Sequence, residues 1–295
     1  MDDSPISIVV ACDDHYAIML AALLKSIELN SRNDEQINIY VVDDGISTKS
    51  KQCIQASLRA VWMTIKYIPM LDAVPKGITL PVVPNTYPLN TYIRLLIPYF
   101  MPPEVTRVLF MDVDMIVLGD IGQLWRTDIG HYPIGAVRDT ITRYIGNLDG
   151  GGIANYKELG LKEDSPYFNA GLQLINLPAW RAQNLTERIM QCIRDHAKYA
   201  HLGDQYGLNA VLADNWYELD PLWNYMANGD HPHPYLIHFI HRKPFYKSYF
   251  NNPAYQQVFY DYLSLTAWKK TKPVGESRRY VKKMNNIVQK VRQLF

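Results

Sequence analysis

The sequence predicts an α/β protein with a mostly parallel central sheet flanked by helices. Short apolar runs alternate with longer helical segments from residue 6 onward, and this order is typical of parallel strands joined by right-handed crossovers. The 295 residues are 48% hydrophobic, which is enough apolar material for a sizeable core and too much for a disordered chain. We therefore expect one large globular domain or two ordinary ones.

Each predicted strand is a short apolar run bounded by proline, glycine or acidic residues. Strands are predicted at 6–11, 37–42, 64–68, 108–111, 115–118, 135–138, 171–177 and 235–240. Helices are predicted at 17–30, 48–60 with Ser47 as the cap, 91–100, 179–200 and 205–213. The proline-rich residues 69–90 are expected to form an irregular connection, and residues 140–166 a mobile surface loop.

Charge divides the chain into two parts that the near-neutral total conceals. Residues 269–295 hold nine Lys or Arg and one acid, a net charge of +8, and the other 268 residues carry −7. We predict a globular domain over 1–268 and a basic amphipathic tail over 269–295. The net charge of +1 argues against a dedicated nucleic-acid binder.

The tail combines its basic residues with an apolar stripe at helical spacing. The stripe consists of Tyr280, Val281, Met284, Ile287, Val288, Val291, Leu294 and Phe295. A basic amphipathic helix of this kind lies on an anionic membrane surface, so the tail is predicted to hold the protein at the inner leaflet. The alternative is a helix that packs on the acidic body or on a partner.

Other features predict a cytoplasmic protein with, at most, peripheral membrane attachment. The three cysteines are far apart, which excludes a disulfide scaffold and a cysteine-based zinc site and favours a reducing compartment. The acidic start of the sequence lacks the basic residues of a signal peptide. No apolar run reaches the roughly 20 residues that a membrane span needs.

Three predicted strands end in acidic residues, and ligands bind at such strand ends in open parallel sheets. The pairs are Asp13-Asp14, Asp43-Asp44 and Asp112 with Asp114. The first turn has no G-x-G-x-x-G, so a dinucleotide fold is excluded. Carboxylates two residues apart suit Mg²⁺ or Mn²⁺, which would bridge them to a diphosphate. Taken alone, a D-x-D is more often one loop aspartate and one capping or solvated aspartate; here the apolar strands before and after it favour the metal site.

Two residues near the end of the predicted sheet could complete such a site. His238 ends an apolar run and could be a further metal ligand, or a histidine of the core. Lys243 follows it closely and could pair with a phosphate, or be an ordinary solvated lysine.

Five motifs occur in order and at fitting intervals. They are Val9-Val10-Ala11-Cys12-Asp13-Asp14-His15-Tyr16, Thr91-Tyr92-Ile93-Arg94-Leu95, Leu109-Phe110-Met111-Asp112-Val113-Asp114, Phe168-Asn169-Ala170-Gly171, and His238-Phe239 with Lys243-Pro244. Together they resemble glycosyltransferase family 8, the retaining galactosyl- and glucosyltransferases with a GT-A fold. The resemblance covers about residues 6–245.

The resemblance implies a binding site for a UDP-hexose. Asp112, Asp114 and His238 would bind Mn²⁺, with Mg²⁺ as the alternative, and the metal would hold the diphosphate. The residues implied at the nucleoside are Ala11, Asp13 and Tyr16 at the uridine and Val113 along the ribose. Lys243 would hold a phosphate, but the stretch from 238 to 243 is one residue shorter than usual and lacks a glycine. His241 and Arg242 are therefore further candidates for this contact.

The resemblance also implies residues at the sugar. Arg94, Asn169 and Ala170 would contact the donor sugar, Asp204 and Gln205 would lie beside the anomeric carbon, and Asp139 could meet the acceptor. The structural alternatives are that Asp204 caps a helix, Asn169 closes a turn, Tyr16 is core and Arg94 pairs with an acid on its own helix. Position 15 is His where the family often has Asn.

These observations favour a metal-dependent retaining hexosyltransferase of glycan or lipopolysaccharide biosynthesis. Its acceptor would be a glycan or a lipid-linked or protein-linked sugar. Because Gln205 is a poor nucleophile, same-face attack through an oxocarbenium-like state is favoured. One alternative is a non-catalytic sugar-nucleotide or glycan-binding protein. A metal-dependent phosphatase is a remote alternative, because that class places D-x-D after its first strand with Thr two residues later, and position 116 is Ile.

Overall fold

The computed structural model describes residues 4–32, 35–81, 89–277, 280 and 284. The strands are β1 Ile6–Cys12, β2 Ile37–Asp43, β3 Met63–Pro69, β4 Arg107–Met111, β5 Met115–Val117, β6 Ile134–Arg138, β7 Phe168–Asn176, β8 Tyr217–Glu218, β9 Tyr225–Met226 and β10 Leu236–His238. The α-helices are α1 Ala17–Asn30, α2 Thr48–Ser57, α3 Met70–Ala73, α4 Ile93–Phe100, α5 Ile121–Trp125, α6 Leu177–Ala182, α7 Leu185–Asp195, α8 Asp204–Val211 and α9 Pro253–Ser264. The 3₁₀ helices span Asp14–Tyr16, Leu89–Tyr92 and Pro221–Asn224.

Most predicted elements are confirmed, and the exceptions have local causes. The single helix predicted over 179–200 is wrong: α6 and α7 are separate helices because Asn184 adopts a left-handed φ of 49°. Ser47 caps α2 as predicted, accepting from the Ser50 amide at 3.1 Å. The sequence analysis did not predict α9, which begins with the capping side chain of Asn252 followed by Pro253.

The chain divides into two compact units. Of the described residues, the first comprises 4–32, 35–70, 111–127, 221–277, 280 and 284. In it, β1 pairs in parallel with β2 and β2 with β3, with Ile6 opposite Ile37 and Ile37 opposite Met63. Helix α1 is buried from Ala17 to Ile27, because it is apolar on nearly all sides. A second sheet has the order β5-β10-β9.

The second unit comprises, of the described residues, 71–81, 89–110 and 128–220. Its strands follow the order β4-β7-β6-β8. Strands β6 and β8 are parallel, whereas β6 and β7 are antiparallel. The β6–β7 register shifts: Ala136 lies opposite Gln173, but Val137 lies opposite Asn169. Because of this bulge, the backbone around Ala170 is not paired with β6. Its amide and carbonyl groups are therefore available to side chains.

Residues 140–166 form consecutive turns. Within this fully described stretch there is no regular helix or strand, as predicted. Backbone hydrogen bonds nevertheless organise it: the Ile145 amide donates to Ser165 O at 2.9 Å, and the Ile153 amide donates to Ile145 O at 2.8 Å. Both isoleucines are fully buried, so the loop carries a small core of its own.

The start of the basic tail is attached to the first unit. The Val274 amide donates to Phe245 O at 2.8 Å, and the Lys247 amide donates to Val274 O at 2.9 Å. Of the predicted amphipathic helix, only Tyr280 and Met284 are described, and both are exposed; the rest of it lies outside the described residues. Among the described helices, none has the length and apolarity needed to cross a bilayer.

Candidate functional site

Asp112, Asp114 and His238 come together in the first unit because of the second sheet's register. The two aspartates lie in the short link between β4 and β5. Strand β10 runs antiparallel to β5 and sets His238 opposite Met115, the residue after Asp114. The Phe239 amide also donates to Asp114 O at 2.9 Å. One ligand atom from each of the three side chains lies within 4.8 Å of the others.

Asn224 orients the histidine of this cluster. His238 is 5% exposed, and its Nδ1 lies 2.9 Å from Asn224 Oδ1. An amide oxygen accepts, so Nδ1 carries the proton and Nε2 keeps its lone pair. Nε2 faces the acids, 3.4 Å from Asp114 Oδ1 and 4.0 Å from Asp112 Oδ2. The sequence analysis missed Asn224, because only the 3₁₀ turn at 221–224 and β10 bring it to the ring.

Lys243 lies against the same carboxylate. Its ammonium is ion-paired with Asp114 Oδ2 and donates to Phe239 O at 2.8 Å. Burial by itself would raise the pKa of Asp114, but the Lys243 ammonium holds that pKa well below its usual range. Asp114 is therefore ionised at neutral pH, as a metal ligand must be.

The cluster fits a divalent cation. Asp114 Oδ1 is buried, and no group in the described part of the chain donates a hydrogen bond to it. A buried carboxylate oxygen without a donor is unfavourable unless a cation completes it. Two carboxylates with a neutral imidazole suit Mn²⁺, which accepts both oxygen and nitrogen ligands.

The carboxyl end of β1 places the residues predicted at the uridine. Asp13 caps the first 3₁₀ turn, accepting from the Tyr16 amide at 3.0 Å. Tyr16 is half-buried in an aromatic cluster in which the rings of His15 and Phe245 lie edge-on, at 5.0 and 6.2 Å. His15 Nε2 also lies 2.7 Å from the Tyr246 hydroxyl, a contact that the sequence analysis missed.

The remaining residues predicted near the nucleoside are half-buried or buried. Ala11 is half-buried on β1, and Val113, between the two aspartates, is 9% exposed. Of the other acidic strand ends, Asp43 is bound locally by the Lys51 ammonium at 2.5 Å and the Ile46 amide at 2.6 Å. It therefore belongs to the β2–α2 turn.

A buried ion pair organises the second unit's predicted residues. Arg94 on α4 is 4% exposed, and its Nε lies 2.8 Å from Asp204 Oδ2. The same guanidinium donates to Ala170 O and, at 3.1 Å, to Thr91 O. Its Cζ lies 4.5 Å over the ring of Phe110. Arg94 thus pairs with an acid on α8, and the alternative of a partner on its own helix is wrong.

Gln205 and Asn169 complete this network. Gln205 Oε1 accepts from the Ala170 amide at 3.0 Å, which leaves its NH₂ group as the donor. Asn169 Nδ2 donates to Asp139 Oδ2 at 3.0 Å, and its Oδ1 accepts from the Gly171 amide at 3.0 Å. Asp139 in turn accepts from two loop amides, at 2.8 and 2.9 Å. All six residues predicted at the sugar therefore meet in one unit.

Asn209 holds the β7 bulge, and the sequence analysis missed it. Its side chain accepts from the Phe168 amide at 2.8 Å and donates to Phe168 O at 2.9 Å and Gln205 O at 3.0 Å. Helix α8 begins at Asp204 after Gly203, and no side chain caps it. Asp204 is therefore not the helix cap that the alternative interpretation proposed.

Comparisons with known proteins identify the family of this chain. The sequence model described as "Glycosyl transferase family 8" matches residues 7–247. General stress protein A of Bacillus subtilis is 28% identical over 90% of this chain and 96% of that protein. Glycosyltransferase GlyF of Streptococcus pneumoniae is 27% identical over 81% of this chain and 56% of that protein.

A solved structure confirms the fold. The galactosyltransferase LgtC, in complex with donor and acceptor sugar analogues, superposes with a TM-score of 0.72 at 23% identity, over 88% of this chain and 96% of that chain. The fold is the GT-A fold that the sequence predicted. Because the family model matches most of the chain and the fold agrees with it, the protein belongs to glycosyltransferase family 8.

Proposed function

We propose that the protein is a metal-dependent retaining hexosyltransferase that moves galactose or glucose from a UDP-sugar to a glycan, glycolipid or glycoprotein acceptor. The observation that carries the proposal is the cluster of Asp112, Asp114 and His238, whose ligand atoms lie within 4.8 Å. Family membership supports sugar transfer, and the cluster supports its dependence on a divalent metal, Mn²⁺ or Mg²⁺. The acidic pair of this cluster argues against a non-catalytic binding protein.

In this proposal, the first unit binds the nucleotide and the metal. A divalent cation held by Asp112, Asp114 and His238 would offset the negative charge that develops on the departing UDP. Asp13 would accept from the uracil edge, with Tyr16 stacked on the base. These roles are supported by the position of both residues directly after β1, where ligands bind in parallel sheets.

Three further residues of the first unit are proposed to contact the donor. Ala11 and Val113 would lie along the nucleoside, and Lys243 would exchange its present Asp114 contact for a phosphate. Its ammonium already lies beside the metal ligands, which supports this role. In the second unit, Arg94, Asn169 and Ala170 would contact the donor sugar.

Gln205 is proposed to lie on the reacting face of the sugar. Because its Oε1 is engaged by the Ala170 amide, its NH₂ group is the end offered to a substrate oxygen. An amide is a poor nucleophile, so we propose same-face attack by the acceptor through an oxocarbenium-like state. Asp204 would hold Arg94 in place, and Asp139, fixed by loop amides and Asn169, would meet the acceptor.

UDP release from UDP-galactose and UDP-glucose tests the function. We expect release with Mn²⁺, loss with EDTA, and a fall of at least 100-fold in Asp112→Asn and Asp114→Asn, because each removes a charged ligand. Asp261→Asn, at an exposed acid on α9, is the matched control and should match wild type. Metal-independent release, or two active asparagine variants, would refute the proposal. Hydrolysis of a phosphate monoester instead would indicate the phosphatase.

We further propose that the basic tail, residues 269–295, holds the enzyme at an anionic inner leaflet near its acceptor. Basic residues near such a surface contribute about 1 kcal/mol each. Replacing Lys282, Lys283 and Lys290 by Glu should strongly reduce sedimentation with anionic liposomes. Unchanged sedimentation would end this part of the proposal and leave the transferase activity untouched.

A further inference from the structure

The first unit contains an open groove that the proposed reaction does not use. It has a volume of about 900 Å³ and is formed by the end of α1, the turn before β3 and the residue after α9. Leu29, Trp62 and Leu265 line it together with Arg32 and Arg59. The groove thus combines an apolar wall with two exposed basic residues.

The apolar residues at this place are unusually exposed. Leu29 is 53% exposed and Leu265 is 57% exposed, and Val61, in the turn next to Trp62, is 94% exposed. They come from three separate segments of the chain, so their convergence follows from the fold. Grouped exposed aliphatic residues with polar neighbours mark sites of protein or membrane interaction.

Partly buried hydrogen bonds hold the three segments together. Glu28 Oε1 accepts from the Ala60 amide at 2.7 Å, which joins α1 to the turn. Asn30 Nδ2 donates to the Tyr262 hydroxyl at 2.6 Å, which joins α1 to α9. The Ala267 amide donates to Ser57 Oγ at 2.9 Å. The groove is therefore a built surface, with the end of α2 attached to the chain beyond α9.

The charge around the groove is positive. Arg32 is 65% exposed even though its Nε lies 3.5 Å from Asp120 Oδ2, and Arg59 is exposed. Lys269 and Lys270 follow Leu265 closely and are also exposed. The acid that lines the groove, Glu28, is only 7% exposed and is ion-paired with Lys25. Its negative charge is therefore largely neutralised and contributes little to the electrostatic potential at the groove.

We propose that this groove face, defined by Leu29, Val61, Leu265, Arg32 and Arg59, docks on an anionic phospholipid bilayer. The aliphatic side chains would enter the headgroup layer while the arginines pair with lipid phosphates. The face adds a folded contact to the membrane attachment proposed for the tail. It does not depend on the tail or on sugar transfer.

The position of the groove is compatible with donor binding by the same unit. Trp62 comes directly before β3, so the groove lies at the amino end of that strand. Asp13 follows the carboxyl end of β1, which runs parallel to β2 and β3. Because parallel strands share their ends, a docked bilayer would leave the proposed uridine contacts open to water.

Vesicle flotation with the full-length protein tests the proposal. The vesicles contain phosphatidylcholine alone or with about 30% phosphatidylglycerol, whose anionic headgroups give the surface a negative potential. Val61→Asp with Leu265→Asp should lower partition onto the anionic vesicles at least tenfold, and Arg32→Gln with Arg59→Gln should lower it about thirtyfold, at about 1 kcal/mol per charge. The matched control is Leu71→Asp, at a side chain 88% exposed in the second unit, which should match wild type.

Each other outcome contradicts the proposal. Equal partition of wild type and both double variants would assign membrane binding to the tail alone. A loss in all variants, the Leu71 control included, would show a general effect of charge. If sedimentation shows that Val61→Asp with Leu265→Asp dissociates a dimer at unchanged partition, a second copy occupies the groove. Release of UDP from UDP-hexoses, measured without lipid, should be equal in all these variants, so failure here is separable from failure of the proposed transferase.

Discussion

The buried pair of Arg94 and Asp204 allows a quantitative test of how the second unit is organised. Both side chains are nearly inaccessible, at 5% and 8% exposure, and Nε lies 2.8 Å from Oδ2. Arg94→Met would leave the carboxylate buried without its cation, and Asp204→Leu would leave the guanidinium without its anion. Breaking a buried pair in this way destabilises a protein by about 3–5 kcal/mol.

The structure predicts which single variant loses more free energy of unfolding. Arg94 also donates to Ala170 O and Thr91 O and stacks on Phe110, and these contacts contribute about 1 kcal/mol each. Arg94→Met should therefore lose more free energy of unfolding than Asp204→Leu. The double variant buries no charge, so its loss should fall short of the sum of the singles by about 2–3 kcal/mol.

Urea denaturation, followed by fluorescence and circular dichroism, measures this double-mutant cycle. The midpoint should fall at unchanged slope in each variant. Arg126→Met is the control: Arg126 pairs with Glu35 at 39% exposure, and an exposed pair contributes less than about 1 kcal/mol. The reasoning is refuted if the coupling energy is below about 0.5 kcal/mol, or if Arg94→Met is no more harmful than the control.

Three further predictions follow from single contacts. Lys243→Met should tighten Mn²⁺ binding about tenfold by calorimetry without nucleotide, because a cation beside the site repels the metal. The same variant should lose free energy of unfolding, because the ion pair with Asp114 is removed. Since this pair lowers the pKa of Asp114, the loss should be complete above the ordinary carboxyl pKa of 3.8 and should disappear as the pH falls through the depressed pKa. Asn224→Ala should weaken Mn²⁺ binding about 10–100-fold, because the ring of His238 loses its orienting acceptor. Gly207→Ala should lower the free energy of unfolding by about 1–3 kcal/mol, because a Cβ there would lie 2.6 Å from an isoleucine side chain of α7.

Each of these predictions has its own control. Asn224→Asp keeps an acceptor for the histidine ring and should bind Mn²⁺ nearly as wild type, so equal weakening in both variants would contradict an orienting role. A Lys243→Arg variant keeps the charge, and tightening of the metal there would contradict the repulsion argument. Gly275→Ala, where a Cβ meets nothing within 4 Å, should leave urea stability unchanged, and an equal loss at both glycines would exclude close packing as the cause.

Local pattern was sufficient for the strands and for the acids at their ends. The apolar run before Asp112 and the short run after Asp114 predicted both β4 and β5, because strand formation depends on burial of adjacent residues. His238 was proposed as a third ligand from its place after an apolar run and from the family resemblance. Its proximity to the acids required the antiparallel β5–β10 register, which no local pattern contains.

Local pattern failed where one residue's backbone conformation decided the outcome. The helical periodicity of 179–200 continues through Asn184, but the left-handed φ of that residue separates α6 from α7. Likewise, the apolar run at 235–240 reads as a full strand, whereas β10 ends at His238.

By itself, the sequence determined the fold class, the family and the types of residue available for chemistry, because these depend on short-range periodicity and on motifs carried in order along the chain. Only the tertiary structure decided the partners: Asn224 for the His238 ring, Asp204 for Arg94, and Asn209 for the bulged backbone of β7. Such contacts join residues far apart in sequence, and the hydrogen-bonding need of a buried polar group does not specify which distant group will meet it.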